Sequence, residues 1–140
     1  MIEIVQQAFE PYTMLQEFQA QLDLRSLGAN AVFVGTMRDF NENDQVSRML
    51  LEHYPGMTEK VLQEICDQAA ADWPLEAVLV VHRVGQILPG EAIVLVSVWT
   101  AHRAEAFAAC RYIIEALKSR APFWKKETLP GGERWVQKNT

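Results

Sequence analysis

Positive charge is in short supply in this 140-residue chain, where 13 Lys+Arg stand against 18 Asp+Glu for a formal net charge of −5. A protein that grips long stretches of nucleic acid by neutralising phosphates is basic overall, so that class is excluded. Cysteine is scarcer still: Cys66 and Cys110 are the only two, which excludes a disulfide framework and a four-thiolate metal site and leaves only a lone thiol nucleophile. No apolar run approaches the ~18 residues of a membrane helix, the longest being the strand-length stretch 92–99. The opening residues, Met1-Ile2-Glu3-Ile4-Val5-Gln6-Gln7, lack the basic start and apolar centre of a signal peptide, so a cytoplasmic location is expected. A Gly-rich phosphate loop, a Gly-x-Ser-x-Gly elbow and a Cys-x-x-Cys pair are all missing. His53, His82 and His102 are widely spaced and have no acidic residue at a ligand-like offset, so no metal and no cofactor is expected.

What is present is an ordinary globular composition, 49% hydrophobic and 22% charged, which separates the chain from disordered sequences. With no repeat, low-complexity tract or linker, residues 1–140 read as one domain whose core needs no metal or disulfide. Ile2 to Val5 reads as a strand, and Leu15, Phe18 and Leu22 give the next segment a helical stripe closed by Gly28. Residues 31–37 form an apolar strand, 39–45 a polar and mobile loop, and 46–54 another strand broken by Pro55-Gly56. Val61, Leu62, Ile65 and Ala69 mark a second helix that ends at Trp73-Pro74. Two β-branched runs, 77–84 and 92–99, pair like a hairpin across a Gly/Pro turn. Phe107, Cys110, Ile114 and Leu117 mark the apolar face of a third helix stopped by Pro122, and 133–136 is a candidate last strand. Adjacent strand pairs favour an α+β domain with a mainly antiparallel sheet.

The cations are not spread evenly. Between residues 102 and 126, Arg103, Arg111, Lys118, Arg120, Lys125 and Lys126 face only Glu105 and Glu115, so this segment is +4 on an otherwise acidic chain. Focused positive charge suits a small anionic ligand. Lys118 sits in the last turn of the third helix, just before a Pro-enforced reversal that brings Trp124, Lys125 and Lys126 back toward it. Converging lysines depress one another's pKa and so can act as an acid/base or nucleophilic pair, although cations in a last helical turn also simply complement its dipole. His102-Arg103 falls at a strand-to-helix junction where free N–H groups suit an anion, and Arg38 ends a strand next to Gly35. Cys66 and Cys110 fall among helix-face residues and read as packing.

Several runs, taken together, point to a family. Gly35-Thr36-Met37-Arg38, Leu51-Glu52-His53-Tyr54-Pro55-Gly56-Met57, His82-Arg83-Val84-Gly85, Ala101-His102-Arg103, Ala106-Phe107 and the stretch from Leu117-Lys118 through Trp124-Lys125-Lys126-Glu127 resemble the large, catalytic subunit of molybdopterin synthase over nearly the whole chain. The resemblance implies an α/β hammerhead with an additional antiparallel β-sheet. It implies a homodimer carrying a small ubiquitin-like subunit at each end, a heterotetramer in all. That partner brings sulfur as a C-terminal glycine thiocarboxylate, and the substrate is cyclic pyranopterin monophosphate. Two sulfur transfers then build the dithiolene of molybdopterin for the molybdenum cofactor.

Carried over by residue, the resemblance assigns catalysis to Lys118 and Lys125. It assigns substrate binding to Arg38, His102, Arg103, Lys126 and Glu127 as well as to the two lysines, with Arg38, His102 and Arg103 anchoring the pterin phosphate and open to supply from the opposite protomer. Thr36 and Met37 depart from the family's usual residues at that place and are read as backbone or shape contributors. Two alternatives stay open here: a persulfide relay on Cys66 or Cys110, and a module that binds the tail of a ubiquitin-like protein without chemistry.

Overall fold

The computed structural model describes residues 1–137. Its first sheet joins β1 (Ile2–Val5), β6 (Leu75–Arg83), β8 (Ala92–Thr100) and β2 (Ala29–Thr36) in the order β1-β6-β8-β2, with only the β1–β6 pair parallel. Its second sheet is antiparallel, in the order β10-β9-β5-β7, from β5 (Arg48–His53), β7 (Gly85–Ile87), β9 (Phe123–Leu129) and β10 (Gly132–Val136). The two sheets with three helices give the α+β architecture, and the second is the additional antiparallel sheet that the resemblance implies.

Alternation along the strands of the first sheet divides the core. Val80, Val94, Val96 and Val98 pack beneath α2 (Met57–Asp72) and α3 (Arg103–Arg120) through Leu62, Ile65, Ala69, Ile113 and Leu117. Leu79, Val81, Leu95 and Trp99 face the other way, onto α1 (Pro11–Gln19) through Met14, Leu15 and Phe18. Trp99 is fully buried there because its indole N–H donates to Gln19 Oε1 at 3.0 Å, satisfying the one polar atom it carries inward. A third cluster, Met37, Val46, Met49, Leu51 and Ile87, seals the inner face of the second sheet. Burial of each such side chain contributes about 1.5–3 kcal/mol.

Four sequence expectations change. The run 77–84 does pair with 92–99, but the intervening turn contains β7, because Gly85 at φ +90° redirects the chain into the second sheet. The loop 39–45 folds into a small hairpin of β3 (Phe40–Asn41) and β4 (Asp44–Gln45). The stretch after Pro122 is a strand, β9, at the centre of the second sheet. Phe107 is 69% exposed rather than packed: α3 meets the sheet along Ala106, Ala109, Ile113 and Ala116, whose three alanines let helix and sheet approach closely, and Phe107 falls outside that stripe.

Candidate active site

A cleft of about 400 Å³ opens where the end of β2, the C-terminal half of α3 and β9 meet. Gly35 makes the convergence possible, since a Cβ there would come within 2.9 Å of Val94 Cγ1. A register shift at Gly35/Thr36 then turns the strand so that Thr36, Met37 and Arg38 follow the cleft wall. Arg38 lies over the Phe40 ring at 5.0 Å to the centroid, an arrangement that orients the guanidinium.

From α3 come Ile114, Glu115 and Lys118. The helix stops when the Ala121 N–H caps Leu117, and Pro122 turns the chain into β9, which returns Lys125 to the cleft beside Lys118. That reversal is pinned from α2: the Thr58 hydroxyl donates to the Pro122 carbonyl at 3.3 Å and accepts the Tyr54 N–H at 3.2 Å.

Both lysines are held below the usual lysine range. For Lys118 burial acts first and the Arg38 charge second, with Glu115 opposing. For Lys125 burial again leads, followed by the Lys118 charge, with Glu127 opposing and Arg38 reinforcing. Half-buried like charges around one space therefore give the cleft amines that change protonation more readily than exposed lysines.

Glu127 is 6% exposed. Its carboxylate accepts from Asn41 Nδ2 at 3.1–3.2 Å and from Arg134 Nε at 3.1 Å. Arg134 also donates to Asp44 at 2.7 Å and to the Asn41 carbonyl at 2.9 Å. These bonds tie the β3–β4 hairpin to β9 and β10, so the segment read as a mobile loop is a fastened wall. Glu127 reaches the cleft as an anchor for that wall and as a counter-charge to Lys125.

Of the residues expected from sequence, Thr36, Met37, Arg38, Lys118, Lys125 and Glu127 meet in the cleft. Lys126 does not: alternation along β9 sends it to the opposite face with Trp124, where it pairs with Glu133 at 3.2 Å and lies over Trp135. His102 and Arg103 are exposed at the far end of α3, fifteen residues and about 22 Å from Lys118 along the helix axis. The linear +4 segment is thus dispersed, and only two of its six cations line the cleft, joined by Arg38 from β2.

The structure adds residues that the sequence reading passed over: Phe33, Asn41 and Glu115 in the cleft wall, Arg134 behind Glu127, and His82 beneath the lysines. His82 alone had a usable signal, since alternation in an apolar strand turns it inward. Both thiols are buried, and burial pushes each up to about 11, so neither is poised as a sulfur-carrying thiolate. Among the described residues no cluster of His, Cys, Asp and Glu is arranged to hold a metal ion.

The family described as MoaE protein matches residues 6–120. The molybdopterin synthase catalytic subunit of Vibrio cholerae is 52% identical over 127 residues, 91% of this chain and 85% of its own length. The crystal structure of molybdopterin synthase from Staphylococcus aureus superposes with a TM-score of 0.86 at 30% identity, covering 97% of this chain and 96% of that one. A protein complex of subunits 1 and 2 of molybdopterin-converting factor from Helicobacter pylori shares the fold, with a TM-score of 0.81 at 21% identity over 99% of this chain and 92% of that one. A family match across most of the chain and a relative identical at half of the aligned positions lead to one assignment: the chain belongs to the MoaE family.

Proposed function

We propose that this chain is the catalytic subunit of a cytoplasmic molybdopterin synthase. In this reading it moves sulfur from the C-terminal glycine thiocarboxylate of a small ubiquitin-like partner onto cyclic pyranopterin monophosphate, twice, to form the dithiolene. The observation that carries the reading is the convergence of Lys118 and Lys125 with Arg38 in one half-buried cleft. A thiocarboxylate, a substrate phosphate and the oxyanion that develops at the attacked carbonyl are all negative, and cations in a partly desolvated site stabilise them more than water does. Lys118 is assigned to the thiocarboxylate and the reacting carbon. Lys125 is its acid/base companion.

Reconstitution tests the whole reading. The purified chain, a thiocarboxylated small partner and cyclic pyranopterin monophosphate are expected to yield dithiolene product. Absence of product while the partner binds would overturn the assignment in favour of a tail-binding module.

The distance along α3 bears on the phosphate. If His102 and Arg103 serve the cleft of Lys118, they reach it from a second copy of the chain. Support comes from β2, an edge strand of its sheet, which exposes Val32 and Phe33 beside the exposed Phe107 of α3. We therefore read the active form as a homodimer with composite sites, each end carrying one small subunit.

Complementation checks this arrangement. Arg103→Ala and Lys118→Ala variants, each impaired alone, should recover activity when co-assembled, because one cleft of the mixed dimer then holds an intact Lys118 and the other protomer's intact Arg103. Mixed dimers no more active than either parent would place both residues in the same protomer's site.

A further inference from the structure

Directly beneath the lysine pair lies a buried imidazole with no role in the chemistry described above. His82 is 4% exposed, on the same side of β6 as the core residue Val80. Its ring stacks on Phe123 with centroids 3.9 Å apart and planes 16° from parallel. It borders a cavity of about 30 Å³ whose other polar side chains are Lys118 and Lys125. That is room for one water, so the imidazole can reach an ammonium directly or through a single solvent molecule.

The tautomer follows from the hydrogen bonding. His82 Nδ1 lies 2.9 Å from the Arg83 carbonyl oxygen. A carbonyl only accepts, so Nδ1 carries the proton and donates, leaving Nε2 as an acceptor. A neutral imidazole fixed in this way has one use for a neighbouring ammonium: it takes an N–H bond and settles where that amine points.

We propose that His82 is a positioning residue of the active site, the neutral acceptor at its floor that orients the Lys118/Lys125 pair and steadies the protonated state of the lysine it contacts. The groups facing it fit this role. Lys118 from α3, Lys125 from β9 and His53 from β5 each oppose a charge on the ring, and burial opposes it most, pushing its pKa down to about 4. The ring therefore stays an uncharged acceptor throughout the neutral range. Phe123 holds its plane, and the Thr58–Pro122 bond holds the reversal from which Phe123 starts.

The inference rests on the synthase reading for its catalytic meaning, but its first test needs no substrate. Titration of the lysines by NMR of the isotope-labelled full chain is expected to show one midpoint lowered by about one pH unit in His82→Phe, which keeps the ring stack and loses the acceptor. His82→Gln, which restores an acceptor, should titrate close to wild type. In reconstituted turnover His82→Phe should lose about tenfold in kcat with KM for the pterin unchanged, and its lysine-dependent pH limb should move down by the same amount. Lysine midpoints unmoved in His82→Phe, or moved equally in His82→Gln, would overturn the proposal. A wild-type histidine nitrogen spectrum with the proton on Nε2 would overturn it as well, whether or not either variant folds. Shifted lysine midpoints in a chain that makes no dithiolene would sink the synthase reading and leave this one standing.

Discussion

Lys118→Ala is expected to lower kcat for dithiolene formation by about 10²–10³-fold, the loss that follows removal of one preorganised donor from a site where negative charge develops. The same substitution removes the charge that, after burial, most depresses Lys125. Lys125 then becomes more basic, so the pH–rate profile of Lys118→Ala should move as well as fall. Lys125→Ala, which removes the acid/base companion, is expected to cost about 10²-fold, the lower end of what a general acid/base contributes, because Lys118 keeps its place on the helix. The double variant should be little worse than Lys118→Ala, as for residues that act as a unit. Lys118→Arg separates the two possible roles. A guanidinium keeps the charge but does not give up its proton, so activity retained in Lys118→Arg assigns Lys118 to electrostatics, and activity lost assigns it to proton transfer. Near-normal turnover in both alanine variants would remove the lysine pair from the mechanism.

How much of this site could be read from the chain depended on how strongly each element announces itself. The runs 77–84 and 92–99 are so rich in β-branched residues that their pairing was legible, as was α2 from the spacing of Val61, Leu62, Ile65 and Ala69. β9 was not legible because its function spoils its pattern. Lys125 and Glu127 take the inner positions where apolar residues would mark a strand, while Trp124 occupies an outer one. The division into two sheets was hidden for a different reason: it turns on Gly85, a single residue whose positive φ separates β6 from β7. On α3 the aromatic Phe107 drew the stripe toward itself, whereas the contact face is made mostly by alanines, which carry little weight in a hydrophobic pattern and much in close packing. The lysines stood out only as two members of a six-cation segment around Pro122, and it was the family resemblance, not their spacing, that singled out Lys118 and Lys125 from Arg120 and Lys126. The Asn41 links of the fastening around Lys118 and Lys125 span 86 residues to Glu127 and 93 to Arg134, so they left no local trace.

The second large expected effect is on stability in acid. His82 ionises at about 4 in the folded chain against 6.5 for an unperturbed histidine, chiefly because burial disfavours its charge. Between those values the unfolded chain binds a proton at this position and the folded chain does not, so stability rises with pH across the window and is lost as pH falls through it. Taken over the whole window, the loss amounts to roughly 3 kcal/mol, a large part of the 5–15 kcal/mol that holds a typical domain folded. The carboxyls of Asp23 and Glu91, lowered by their hydrogen bonds to Arg25 and to the Leu88 N–H, start from ordinary values of 3.8 and 4.5, so their own contribution falls mainly below that window. Urea unfolding at pH 7, 5.5 and 4.5 should therefore show a steep decline for wild type and a much shallower one for His82→Gln, whose amide does not titrate. Parallel declines would show that some other group carries the acid sensitivity. Protonation of His82 would set a third cation against Lys118 and Lys125 beneath the cleft, so the acid transition is expected to begin at the seam between α3 and β9 and to abolish the lysine arrangement before the rest of the first sheet opens. Loss of turnover at a higher pH than loss of helical signal is the ordering that follows from a charge placed there.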